Sequence, residues 1–244
     1  MSRHAYLMIL IACAALSGCF NASENSDRSG GGSSAPSFGN GDVTAGSGGA
    51  HTWNGSVEVP DGAQAGNVGT VNGNIHVGDN ASVQQGQTVN GSISLGTRSS
   101  ADALNTVNGS ISLHDDARVS RSVVTVNGAL TLEKGAAVGG LLTNVNGTIE
   151  LNSAHVGGGI RTANGDITVQ GRSRVEGGIL VQKPSSEWFQ LSREPRIVIG
   201  PGAVVQGDLR FERKVELYVS DEARIGPVIG ATPLRYSGEA PPAG

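Results

Sequence analysis

Cysteine, aromatic residues and charge are all scarce in this chain, and each scarcity closes off a class of protein. Its 244 residues include two Cys, too few for a disulfide framework or a cysteine-ligated zinc cluster. Two Trp, three Tyr and four Phe supply few large side chains. Any interior must therefore be narrow and filled by Val, Ile, Leu and Ala. Only 16% of residues are charged, and the net charge is −4. That balance gives no clustered Lys/Arg footprint, so no nucleic-acid partner is expected. What the chain has in excess is glycine, 38 residues without a three-residue period, which excludes collagen. At 37% hydrophobic residues it is also too apolar to be wholly disordered. An elongated repeat fits this composition; a compact globule does not.

Long hydrophobic runs are missing too, with one short exception at the start. Ala5 to Ala15 is apolar, follows Arg3, and is too short to cross a bilayer as a helix. The next four residues, Leu16-Ser17-Gly18-Cys19, resemble the lipobox of bacterial lipoproteins. The resemblance implies a signal peptide over residues 1–18, diacylglyceryl attachment to the Cys19 sulfur, and acylation of the new amino terminus. Several acyl chains hold a protein stably on a membrane where one does not. The residue after Cys19 is Phe20 rather than Asp, which within that resemblance implies a cell-envelope location at the outer membrane. Residues 19–50 are dominated by Gly, Ser, Asn and Asp. They read as a lipid-anchored tether, reaching on the order of 30 Å by coil scaling.

The body repeats. Asn-Gly recurs at Asn72, Asn90, Asn108, Asn127, Asn146 and Asn164, inside a pattern Thr-Val-Asn-Gly-x-Ile-x-Leu. Asn-Gly between alternating residues is also a hairpin signal. A hairpin would set Val107 opposite Ser110 and Thr106 opposite Ile111, mixing apolar and polar groups on one face. A coil of three six-residue sides removes that conflict. It predicts inward pairs Ile75/Val77, Ala81/Val83 and Gln87/Val89 in one turn, and Ile111/Leu113 with Ala117/Val119 in a later one. The fold expected is all-β: a single-stranded parallel β-helix of about nine turns, roughly 18 residues each, over residues 51–230, with a tail at 231–244. Gly is expected at the Asn-Gly corner for its positive φ, and the Asn side chains are expected to hydrogen-bond up the stack. Beside that corner runs a column of small hydroxyl residues, including Ser94, Ser112, Thr131 and Thr168, on a solvated face.

Two segments carry a family resemblance. Ile197 to Leu209 (IVIGPGAVVQGDL) and Val169 to Val181 (VQGRSRVEGGILV) resemble turns of the bactofilins, polymer-forming bacterial β-helix proteins. The preceding T-x-N-G-x-I turns are similar to adhesin-head-type envelope domains. These resemblances imply a β-helix, a non-enzymatic assembly role, and stacking of rods end to end as homo-oligomers.

Enzymatic readings find less support. Ile199-Gly200-x-x-Ala203 is similar to the hexapeptide turns of acyltransferases that use a histidine base. His76, His114 and His155, however, fall at different phases of the repeat, and each reads as a surface imidazole. A polysaccharide lyase or hydrolase needs clustered carboxylates. Asp115-Asp116 is the adjacent acidic pair in the repeats, and it reads as a solvated corner. No catalytic residue, cofactor or metal is expected. The interruption from Gln182 to Arg196 carries Trp188 and Phe189, which are the residues expected to touch a partner if they do not simply cover the core. Trp53 is expected to cover the amino-terminal end of the rod. The function expected is that of a lipid-anchored envelope scaffold or binding module, with an envelope glycan or protein as partner. The alternative is a carbohydrate-processing or glycan-binding β-helix.

Overall fold

Ile75–Val77, Ile93–Leu95, Ile111–Leu113 and Leu130–Leu132 each turn two aliphatic residues inward around one outward residue, and each pairs in parallel with the next. A strand that must bury one face and wet the other takes this alternation. The computed structural model describes residues 38–183 and 193–241. Within them the chain is all-β, a parallel β-solenoid of about ten turns with strands stacked about 18 residues apart. At a strand spacing of about 4.8 Å the rod is roughly 48 Å long. Stacked strands begin at Phe38–Asn40 and end at Leu234–Tyr236.

Three sides wind around one core. The first side is an 11-stranded sheet of its own. The second and third sides are joined in an 18-stranded sheet, because Ser82–Asn90 and Ser100–Asn108 run unbroken around the corner between them. The core is a single column of Ala, Val, Ile and Leu, joined near the carboxy-terminal end by Phe211, with Ile111, Leu113, Ala117 and Leu132 among its fully buried members. After the interruption the register is recovered: Ile197–Ile199 pairs directly with Ile167–Val169.

The first two sides follow the expected alternation, and the third does not. Gly86 stacks on Leu104, and Thr88 on Thr106, facing the interior. Val89 and Val107 stand outward and only partly covered. Gln87 is nearly covered but belongs to the outward column with Asn105. The reason is corner length. The step from Val83 to Gly86 is one residue shorter than six-residue sides require, and the step from Thr88 to Ile93 is one longer. The phase of the third side is therefore shifted by one.

That shift buries a row of hydroxyls. The Oγ1 atoms of Thr52, Thr70, Thr88, Thr106 and Thr125 donate to the carbonyls of Gly41, Gly55, Gly73, Gly91 and Gly109 at 2.9–3.1 Å, and Asn144 Nδ2 continues the row to the Gly128 carbonyl at 2.8 Å. Each hydroxyl thereby finds a partner in the dry interior, which a buried polar group requires. The first corner has its own column. Asn80, Arg98, Asp116 and Ser153 hold φ between 52° and 58°, and Gly62, Gly135, Gly171 and Gly202 hold φ of 62° to 76°.

The alternation makes a direct prediction. Leu113→Asp puts a carboxylate into the core and should cost several kcal/mol, while Ser112→Asp should be nearly neutral. On the third side Thr106→Asp should be disruptive and Val107→Asp tolerated. Melting temperatures that do not separate the two members of each pair contradict the assigned register.

Candidate functional site

The Asn-Gly corner carries a continuous side-chain ladder along the surface from Asn40 to Asn164. Asn54 Nδ2 donates to Asn40 Oδ1, Asn72 to Asn54, Asn90 to Asn72, Asn108 to Asn90, Asn127 to Asn108, Asn146 to Asn127 and Asn164 to Asn146, all at 2.8–3.0 Å. Every amide points the same way, so the dipoles add along the rod. The ladder extends below the first Asn72 of the regular repeat, through Asn54-Gly55 and Asn40-Gly41. The sequence signal for these two steps was the dipeptide itself, set in a glycine-rich stretch and, at the first step, off the 18-residue period.

The glycines of this corner serve close approach more than unusual φ. A Cβ on Gly91 would lie 1.8 Å from the Gly73 carbonyl oxygen, and one on Gly109 would lie 1.9 Å from that of Gly91. Neither residue has a positive φ of the kind found at Gly128 and Gly147. Only hydrogen fits between successive backbones there.

The ladder ends where the repeat is interrupted. Asn164 Oδ1, the last acceptor, receives the Arg213 guanidinium, which also donates to the Ala163 carbonyl at 3.2 Å and the Arg193 carbonyl at 3.4 Å. Arg193 in turn pairs with Asp166, whose other oxygen accepts the Arg196 backbone N–H at 2.8 Å. The contact with Asp166 raises the Arg193 pKa further. These bonds fasten the carboxy-terminal end of the interruption to the turn beneath it. Trp188 and Phe189 lie outside the described residues, as does Cys19. Trp53 does not cover the end of the rod. Ala50 and Thr52 of its strand face inward, so Trp53 faces out at 48% exposure, and Phe38–Asn40 stacks on the strand's other edge.

The outward face of the first side carries Glu58, His76, Ser94, Ser112, Thr131, Glu150 and Thr168 in one column. Past the interruption this column becomes Val198 and Tyr218, which pack with Tyr236. The Arg196 guanidinium lies 4.8 Å from the Tyr218 ring centre.

Each exposed histidine meets a carboxylate from a neighbouring turn. His76 Nε2 is 3.9 Å from Glu58 Oε1, and His155 Nε2 is 3.2 Å from Glu176 Oε1. The adjacent His155 imidazole, helped by Arg174, holds the Glu176 carboxyl below its ordinary range. His114 does more. Its Nδ1 lies 3.0 Å from Glu133 Oε2, and its Nε2 lies 3.2 Å from Ser94 Oγ. Three consecutive turns thus contribute a serine, an imidazole and a carboxylate in one hydrogen-bonded chain. Sequence reasoning read His114 as a surface imidazole at a different phase of the repeat from His76 and His155. The step of 19 residues to Glu133, one turn of the repeat, was the signal that joined them. Asp115 and Asp116 are exposed at the corner.

Among the described residues no group of three or more His, Cys, Asp or Glu is placed to hold a metal ion. Also among them, no helix is long and apolar enough to cross a membrane. Comparison with protein-family models, with curated proteins and with solved structures gives no match.

The ladder itself can be tested by its proton inventory. Asn108→Ala deletes two exposed amide bonds and should cost about 1–2 kcal/mol. Asn108→Asp leaves an acceptor facing the Asn90 oxygen. Protonation restores a donor, so the new carboxyl's pKa is raised in the folded state. Its stabilising contribution is present at low pH and lost as pH rises through that raised value. The Asp variant should gain melting temperature relative to the Ala variant on acidification; parallel pH profiles contradict the ladder.

Proposed function

We propose that the protein is an envelope lipoprotein whose β-solenoid serves as a rigid scaffold and binding module. The observation that supports the scaffold reading most directly is the asparagine ladder. Its exposed amides are spent on one another from Asn40 to Asn164, which stiffens the rod and leaves that column little capacity for a ligand. The Leu16-Ser17-Gly18-Cys19 sequence supports lipid attachment at Cys19. Glycine- and serine-rich residues between Cys19 and the first strand then act as the tether, and the missing Asp at Phe20 favours the outer membrane. The hydroxyl-bearing face at Ser94, Ser112, Thr131 and Thr168 is the surface open to an envelope glycan or protein.

We further infer that rods associate end to end. The first strands, Phe38–Asn40 and Val43–Thr44, and the last, Val228–Ile229 and Leu234–Tyr236, pair on one edge only among the described residues. An uncovered strand edge is a template for another chain. At the carboxy-terminal end Ile229 and Leu234 are 44% and 53% exposed.

Two measurements test these readings. Cys19→Ser removes the sulfur nucleophile and should abolish incorporation of a fatty-acid analogue; unchanged labelling refutes the anchor. Protein lacking the first 19 residues should sediment as a concentration-dependent assembly. The double variant Ile229→Lys, Leu234→Lys should be monomeric with the fold intact. A strictly monomeric parent at high concentration rules out stacking and leaves a tethered binding module.

A further inference from the structure

We propose that Ser94 is a base-activated nucleophile that accepts acyl groups from activated carboxylic esters at the outer face of the first side. A carboxylate oxygen accepts hydrogen bonds and cannot donate them. The 3.0 Å contact with Glu133 Oε2 therefore places the His114 proton on Nδ1. The remaining ring nitrogen, Nε2, presents its lone pair to Ser94 Oγ at 3.2 Å, and the hydroxyl donates to it. A nucleophile bonded to a base, with the base oriented by a third group, is the arrangement that activates a serine. Here the orientation is set by the sheet. Ser94 and Ser112 are register partners, His114 follows Leu113 at the corner, and Glu133 follows Leu132, the register partner of Leu113, one turn on. His114 and Glu133 are 41% and 43% exposed, so an ester can reach the relay from solvent.

The reaction needs no other reagent. Ser94 Oγ bonds to the ester carbonyl carbon while its proton passes to His114 Nε2, and Glu133 stabilises the imidazolium. Collapse of the adduct breaks the bond to the leaving alcohol, which takes the proton from Nε2. Ser94 then carries the acyl group as an ester, and water activated by the same imidazole returns the serine and a carboxylic acid.

The surroundings set the rate and the substrate class. The backbone N–H groups of Ile93 and Gly96, on either side of the serine, already donate to the carbonyls of Ser110 and Val77 at 2.9 and 2.7 Å. They are not available to an oxyanion, and each missing donor of that kind costs roughly 10²–10³ in rate. Ser94 is therefore a slow acyl acceptor, suited to esters with good leaving groups.

The test uses the full chain with p-nitrophenyl acetate, followed by mapping of acetylated residues by tandem mass spectrometry. Ser112 shares the face and the column without an imidazole hydrogen bond, and supplies the internal comparison. Acetylation of Ser94 should exceed that of Ser112 at least tenfold. His114→Gln should remove that excess, and Glu133→Gln should reduce it severalfold with Ser112 unchanged. Equal acetylation of Ser94 and Ser112 in the unaltered chain overturns the proposal whether or not the variants fold. So does undiminished Ser94 acetylation in a folded His114→Gln protein. Neither result depends on the lipid anchor or on end-to-end assembly.

Discussion

The parallel backbone ladder is the constraint from which the rest of this structure follows. Successive turns are held about 4.8 Å apart by hydrogen bonds between equivalent residues. Each position therefore meets a residue of the same column above and below, as Asn72, Asn90 and Asn108 do. Whatever cannot tolerate its own kind at that distance is excluded, and whatever profits from it accumulates. Glycine collects where carbonyls crowd, at Gly73, Gly91 and Gly109. Asparagine collects where an amide can both give and receive. Threonine collects where a hydroxyl must be buried but has a carbonyl one turn away.

Much of this was legible in the sequence, for a physical reason. The aliphatic pairs such as Ile111/Leu113 and Ala117/Val119 alternate within short strands, and alternation reports burial directly. The asparagine ladder was legible because stacking turns a repeat into a contact. The third side was not, since it depends on corners of unequal length, and the Thr-Val dipeptide places its one apolar residue in the phase that six-residue sides would turn inward. Val89 looked like core, and Thr88 took the place because its hydroxyl bonds to the Gly73 carbonyl. The relay was hidden differently. Ser94 and His114 occupy neighbouring columns rather than one, so no single period joins them. Arg213 carries no periodic signal at all; the interruption brings it to Asn164 from a distant part of the chain.

The rod is not uniform along its length. Between the first strand and Asn164 the outer surface is bound together by side-chain ladders, and the first side shows hydroxyls, imidazoles and carboxylates. Beyond the interruption the ladder has been closed by Arg213, and on the same side Val198 and Tyr218 are buried together with Tyr236. The two stretches share a core and a backbone register but present different chemistry. A partner that recognised one would find little of the same character on the other. The interruption from Gln182 to Arg196 marks the boundary between them.

The equivalence of turns also bears on how such a chain can change. Residues 72–89 and 90–107 occupy successive turns in the same register, with Val68, Gly86 and Leu104 in one column and Thr70, Thr88 and Thr106 in the next. Loss or duplication of eighteen codons in this stretch would shorten or lengthen the rod by about 4.8 Å. It would leave each remaining residue beside a neighbour of its own column. Length in this molecule is a variable that inheritance can adjust in whole steps, with no loop to rebuild and no new interface to find.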